Sequence, residues 1–215
     1  MHIPPQYRQA NLDAQHDLIR THSFGHMICN GPDGIESNSI PFILDSESSE
    51  FGTLRGHLGR ANPQADYLSS TDECLVIFQG PHAYVTPTWY TSKKESGKAV
   101  PTWDHITVHV YGKPKIINDR EWLFKSIDEL STEMEKGRPE PWKLSDAPES
   151  YLNIMVKSII GIEIEITRIQ AQWKLSQNLT TEDMTTVVSE FKQQGENGRN
   201  MAILIEEAHK GKLKK

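Results

Sequence analysis

Hydrophobic and polar positions alternate most cleanly at Ile162, Ile164 and Ile166, interleaved with Glu163, Glu165 and Thr167, and this period of two predicts a half-exposed strand. A second alternating run sets Ile106, Val108 and Val110 against Thr107, His109 and Tyr111, and belongs to a strand meander from Cys74 to Gly112. That meander opens on the apolar run 75–78, breaks at Gly80-Pro81, resumes at 82–85 and stops at Thr86-Pro87; after the third strand it extends across Pro114. Upstream, Phe24 to Cys29 reads as a strand, Gly31-Pro32-Asp33-Gly34 as a hairpin turn, and Ile35 to Leu44 as one return strand in which Pro41 demands an edge or a bulge. Phe51 to Leu58 follows as a further strand. Helical spacing appears at Leu12 to Thr21 behind Asn11, and from Arg120 to about Lys136 behind Asp119, with Trp122, Leu123, Ile127, Leu130 and Met134 on one face. Asn62-Pro63 opens a short helix to Leu68, and Tyr151 to Ile160 is a helix that Gly161 ends. The last helices start at Thr180/Thr181 and at Met201.

The order of these elements is not alternating βαβ, so a doubly wound sheet is disfavoured and a small antiparallel β-barrel with flanking helices is expected. At 215 residues, 36% hydrophobic and 24% charged, the chain is ordinary globular material, long enough to bury a core without staples. Apolar runs are too short and too interrupted to span a bilayer, and MHIPPQYRQANLD has no apolar signal region, so a cytoplasmic location without membrane is expected. Cys29 and Cys74 read as reduced, buried thiols in that compartment, with a disulfide between them the less favoured alternative. The formal charge of −6 disfavours broad contact with nucleic-acid phosphates, leaving a local patch or a protein partner for any role on DNA.

No G-x-G-x-x-G, P-loop, G-x-S-x-G, H-E-x-x-H or C-x-x-C motif is present, so the chemistries that need those parts lack them. Trp89, Trp103 and Trp122, with His82, His105 and His109, gather in or just beyond the meander; this suits a flat conjugated ligand or a buried interface, and equally a packed β core with aromatic plugs. His57, His82, His105 and His109 lack the carboxylate or thiolate company of a metal site, apart from Asp104 beside His105. Arg60, in a Gly-Arg-Ala-Asn-Pro turn that opens a helix, sets a guanidinium beside backbone N–H groups expected to be unpaired, a local anion site, or else simply closes the turn. Ser92, Lys93, Lys94 and Lys98 add polar and positive groups to a loop. Lys174, Ser176, Gln177 and Asn178 offer hydrogen bonds to polar ring edges beside Trp173, which could stack on them or merely anchor the late strand.

The segments GHLGRANPQ (56–64), VIFQGPHAYVTPTWY (76–90), VPTWDHITVHVYG (100–112) and WKLSQN (173–178) resemble, in that order, the PaiB family of FMN-binding split-barrel proteins described as negative transcriptional regulators. The resemblance implies a six-stranded antiparallel Greek-key split barrel over residues 1–179 with a helical extension at 180–215, a homodimer, and FMN at the subunit interface. More distantly the chain is similar to pyridoxamine-phosphate oxidase. That likeness makes Arg60 and Asn62 phosphate candidates, sets Gln79 and Thr107 or His109 toward the ring, and brings Trp173, Lys174 and Gln177 from the late segment. Gly-Arg-Ala-Asn stands where that enzyme carries an Arg-Lys pair, His109 where it carries an Arg, and Asp104 where an asparagine commonly follows the VPTW motif. A carboxylate at 104 would oppose a reduced, anionic flavin or lie exposed and harmless.

Two functions follow. One is a PaiB-type FMN-binding regulator acting without extensive direct DNA contact, because Glu182, Asp183, Glu190, Glu196, Glu206 and Glu207 outnumber Lys192 and Arg199 in the segment with helix-turn-helix dimensions. The other is an FMN-dependent oxidoreductase on the same barrel. Haem handling and a scaffold without flavin are weaker alternatives, and the sequence does not separate FMN from a related flavin such as F420, since both present a phosphate and a planar ring.

Overall fold

The computed structural model describes residues 1–93 and 97–210. Helix α1 (Leu12–Thr21) buries Gln15, His16, Leu18 and Ile19, and the His16 ring bonds the Phe51 carbonyl oxygen through Nε2 at 3.0 Å. Strands β1 (Phe24–Gly31) and β2 (Gly34–Pro41) form the expected antiparallel hairpin, closed where Gly31 faces Gly34, whose φ of 123° few side chains tolerate. Next come β3 (Ile43–Asp45), β4 (Thr53–Gly59), the short helix α2 (Gln64–Leu68), β5 (Cys74–Val85) and β6 (Thr102–Ile117). Helix α3 (Arg120–Met134) starts where the Asp119 carboxylate accepts the Trp122 N–H at 2.7 Å. Helix α4 (Glu149–Lys157), β7 (Ile159–Lys174), α5 (Thr181–Lys192) and α6 (Glu196–Ala208) complete the chain.

Among the described residues these strands make one seven-stranded sheet in the order β2-β1-β5-β6-β7-β4-β3, antiparallel at β1/β2, β1/β5, β3/β4 and β4/β7. The expectation of a closed six-stranded split barrel is thereby corrected: there is one more strand, and the sheet is open, with β2 and β3 as edges. The extra strand comes from the expected single return strand 35–44. Pro41 has no N–H to continue the ladder, the Phe42 N–H turns to the Ser23 carbonyl oxygen at 2.9 Å, and Ile43–Asp45 pairs with Arg55–Thr53 instead. Ile40 and Phe42 do reach Gly56 of β4, where a Cβ would meet them at 3.2 and 3.1 Å, so the contact there is of their side chains against the glycine backbone and not a ladder.

The chain divides into two compact units, and β5, β6 and β7 each contribute residues to both. The hairpin unit is Leu12–Phe78 with His109–Ile169. Its core includes Ile19, Met27, Ile40, Phe42, Leu54, Val76, Phe78, Ile162 and Ile164, with Phe42 edge-on to Phe78 at 5.9 Å. Gly161, expected to end a helix, lies inside β7, where a Cβ would strike the Trp122 ring at 2.3 Å; the helix stops earlier, at Lys157.

The helical unit is Met1–Asn11, Gln79–Val108 and Gln170–Lys215. Here α5 and α6 bury Met184, Val187, Phe191, Met201, Ala202 and Ile205, and Trp89 sets its ring edge-on to Phe191 at 5.1 Å. Asp183, 3% exposed, staples this unit by accepting from the Thr91 hydroxyl at 3.0 Å, the Ser92 N–H at 3.0 Å and the Ser92 hydroxyl at 2.6 Å. Burial pulls its carboxyl upward, but the Ser92, Thr91 and Thr180 bonds outweigh it and hold the group below the ordinary carboxylate range. Its stabilising contribution is therefore present above the unfolded-chain value and lost as pH falls through the folded value. Urea unfolding should show the wild type losing more stability than Asp183→Asn between neutral and acid pH; parallel losses would contradict the assignment.

Candidate functional site

In the hairpin unit, Arg60 and Asn62 sit on the turn between β4 and α2. The Arg60 guanidinium donates to the Lys157 carbonyl oxygen at 3.1 Å, the Ile159 carbonyl oxygen at 2.8 Å and Asn118 Oδ1 at 3.0 Å. Asn62 donates from Nδ2 to Asn38 Oδ1 at 3.1 Å and accepts the Gln64 N–H on Oδ1 at 2.9 Å, while Asn38 donates to Gln64 Oε1 at 3.0 Å. The backbone N–H groups expected to be unpaired are bonded: Arg60 to Ser158, Asn62 to Gly59 and Ala65 to Asn62, each through a carbonyl oxygen. Arg60 thus clamps the end of β4 to the start of β7. Arg60→Ala should cost about 0.5–1 kcal/mol, the small value reflecting an exposed side chain, and appear as a lower urea midpoint. An unchanged midpoint would show that the clamp carries no energy.

His109, on β6 in the same unit, is half-buried with its Nδ1 shielded from solvent and without a hydrogen-bond partner, and its ring lies 6.5 Å from that of Tyr111. Burial lowers its pKa below the ordinary imidazole value, so the ring is neutral at physiological pH. A buried ring nitrogen without a partner is costly in a finished fold and suits a ligand atom.

The helical unit brings five of the sequence-predicted residues onto its strands and the following turn. Gln79, exposed on β5, donates to the Ile106 carbonyl oxygen at 2.9 Å, next to the buried Thr107 on β6. Lys174, at the end of β7, donates to Thr102 Oγ1 at 2.5 Å and to the Trp103 carbonyl oxygen at 2.7 Å. Gln177 folds back on the half-buried Trp173, donating to its carbonyl oxygen at 2.5 Å and accepting the Leu175 N–H at 2.8 Å. His209 of the same unit bonds the Leu175 carbonyl oxygen through Nε2 at 3.1 Å.

The residue that sequence reasoning misplaced is Asp104. It is 0% exposed, and its carboxylate accepts the Ser176 N–H at 3.2 Å and the Ser176 hydroxyl at 2.5 Å, with Lys174 Nζ at 3.6 Å. Ser176 has a φ of 57°, a left-handed conformation that a non-glycine residue holds only when fixed by its surroundings. Asp104 supplies that fixing, and so shapes the turn carrying Lys174 and Gln177. Beside it, Trp103 and Tyr84 are each 49% exposed and meet edge-on at 5.9 Å; Trp103 also stacks on His82 at 6.0 Å and donates from Nε1 to His82 Nδ1 at 3.2 Å. His105 bonds Gln172 at 3.4 Å, and among the described residues no cluster of histidine, cysteine or acidic groups could hold a metal ion. Of the loop cations, Lys94 lies outside the described residues.

Residues 1–168 match the family described as "Putative FMN-binding domain". The chain belongs to this FMN-binding domain family. It is 35% identical over its whole length to an uncharacterized protein of Emericella nidulans, of which the match also covers 100%. It is 29% identical to the protease synthase and sporulation protein PAI 2 of Bacillus subtilis, covering 100% of this chain and 99% of the other. Among solved structures, the FAD and heme binding protein of Mycobacterium smegmatis is similar with a TM-score of 0.59 at 11% identity, covering 83% of this chain and 79% of that one. A flavocytochrome of Azotobacter vinelandii is similar with a TM-score of 0.59 at 10% identity, covering 86% and 78%. At such identities the two structures establish a shared fold.

Proposed function

We propose that the chain binds FMN and acts as an FMN-dependent oxidoreductase related to pyridoxamine-phosphate oxidase. The observation that carries the reading is the family match over residues 1–168, and the shielded Nδ1 of His109, without a partner among the described residues, is a group that a ligand atom would complete. In the helical unit, Gln79, Thr107, Trp173, Lys174 and Gln177 are the proposed ring contacts: amide and hydroxyl groups for polar edges, an indole for a planar face, an ammonium for negative charge. In the hairpin unit, taken by itself, the unpartnered Nδ1 of His109 is the proposed hydrogen-bonding group, while Arg60 and Asn62, the phosphate candidates of the resemblance, hold carbonyl and amide partners within that unit and would have to exchange them for a phosphate. Bound FMN would supply hydride and electron transfer; the chain's part is to bind, orient and shield. A homodimer with flavin at the subunit interface, and a division into residues 1–179 and a helical extension 180–215, belong to the same proposal.

Direct operator binding is disfavoured by the α5–α6 hairpin. Lys192 is paired with Glu206 at 2.6 Å and Arg199 bonds the Gln194 carbonyl oxygen at 3.1 Å, which leaves these two cations already engaged beside five exposed or half-buried glutamates. A regulatory role keeps one observation on its side, the full-length similarity to the Bacillus subtilis protein.

The test is a titration of the full chain into FMN, followed by flavin fluorescence. Saturable binding that weakens about tenfold in His109→Ala, a loss of one good hydrogen bond, supports the reading. No binding at micromolar protein, with a normal melting transition, overturns it.

A further inference from the structure

The hairpin unit holds two thiols that the proposed flavin contacts do not include. The ladder between β1 and β5 pairs Ile28 with Leu75, so the next step of this antiparallel register sets Cys29 opposite Cys74. Both are free and buried, 3% and 1% exposed. Directly opposed residues in an antiparallel pair have Cα atoms roughly 4.5–5.5 Å apart, inside the range of about 4.4–6.8 Å that a disulfide spans. The Cys74 thiol, 3.3 Å from the Gly112 carbonyl oxygen, is also within hydrogen-bond reach of the Cys29 sulfur. On its other side Cys29 faces Glu36 of β2, which accepts a hydrogen bond from the Tyr67 hydroxyl. Glu36 and Tyr67 both line an open cleft of about 530 Å³ beside the Gly31–Gly34 turn, so the residue across from Cys29 is itself a wall of that cleft.

The two thiols are unequal. A hydrogen bond from Cys74 lowers the Cys29 pKa against the opposing effect of burial, whereas that same bond and burial push Cys74 upward. Cys29, which faces the cleft-lining Glu36, is the sulfur placed to meet the oxidant first, and Cys74 the one placed to resolve.

We propose that Cys29 and Cys74 are a peroxide-oxidisable dithiol that closes to a cross-strand disulfide between β1 and β5. The Cys29 thiolate attacks one oxygen of hydrogen peroxide: an S–O bond forms, the O–O bond breaks, and the departing hydroxide takes a proton to become water. The Cys74 sulfur then attacks the Cys29 sulfenic acid: the S–S bond forms, the S–O bond breaks, and hydroxide leaves with the Cys74 proton as a second water. Two electrons pass from the sulfur pair to the peroxide.

The experiment treats the full chain with hydrogen peroxide, unfolds it, and alkylates free thiols with and without prior reduction, reading residues 29 and 74 by peptide mass. The expected result is that both residues lose more than half of their alkylation together, within one chain, and regain it on reduction. Cys74→Ser should instead accumulate a sulfenic acid on Cys29 that dimedone captures, and Cys74→Ala repeats that arm. Full alkylation of both thiols after peroxide, chain-to-chain disulfides, or Cys29 advancing to sulfinic acid while Cys74 stays free would each overturn the proposal. The wild-type arm decides the matter even where a variant does not fold.

Discussion

Replacing Asp104 by alanine should lower the folding free energy by about 3 kcal/mol, because it removes one partner from a buried charged network and leaves the others behind. The Ser176 N–H and hydroxyl would lose their acceptor in a site where Asp104 and Ser176 are 0% and 3% exposed, and the left-handed Ser176 would lose what holds it. Lys174 would keep Thr102 Oγ1 and the Trp103 carbonyl oxygen, so the damage should centre on the turn that follows β7. Asp104→Asn keeps an acceptor for Ser176 and separates charge from shape. Burial, the largest influence, raises the Asp104 carboxyl above the ordinary carboxylate range, against the lowering pull of Ser176 and Lys174. A folded-state value above the unfolded one gives stability that is full below the unfolded value and is lost as pH rises through the folded value. Urea unfolding of Asp104→Asn should therefore decline less between acid and neutral pH than the wild type, the opposite of the behaviour expected at Asp183. A wild-type midpoint for Asp104→Ala would show that the turn is held by other means.

Gly112→Ala should cost about 3 kcal/mol or abolish soluble expression. A Cβ at 112 would lie 2.2 Å from the Glu165 carbonyl oxygen and 2.7 Å from Ile164 Cγ2. The first of these is backbone in the neighbouring strand, so relief requires β6 and β7 to separate rather than a side chain to rotate. Since β7 also carries the ladder to β4, the disturbance should spread along Thr53–Gly59. Urea or thermal unfolding measures it, and a stability within experimental error of the wild type would contradict the close approach.

Those two residues also mark where the sequence stopped being informative. A cap residue with helical spacing behind it gave α1 and α3, the Gly31–Gly34 turn gave the β1/β2 hairpin, and strict alternation gave the Ile162, Ile164, Ile166 strand, because there local pattern and burial agree. Gly80-Pro81 reads as a break, yet β5 runs through it. The β1 ladder ends at Ile77, so Pro81 lacks an N–H only where no β1 partner asks for one. Gly161 looks like a helix stop because the ring it accommodates, Trp122, is 39 positions away in the chain. Asp104 and Ser176 lie 72 positions apart, and nothing local tells a buried turn brace from an exposed carboxylate. Of the candidate cofactor residues, Trp173 and Lys174 read as a polar segment after the late strand but lie inside β7, and the present bonds of the candidates were not legible. Arg60 clamps carbonyl groups and Asn62 braces its own turn, both through partners distant in sequence. The unpartnered Nδ1 of His109 was equally invisible, since it depends on what its neighbours fail to offer.

The most direct test is the visible spectrum of the full chain, mixed with FMN, freed of unbound flavin and then given NADH or NADPH without oxygen. The account predicts that the flavin band stays with the protein and is lost on adding reduced nucleotide. Absence of retained flavin, or a retained band that neither nucleotide bleaches, would contradict it.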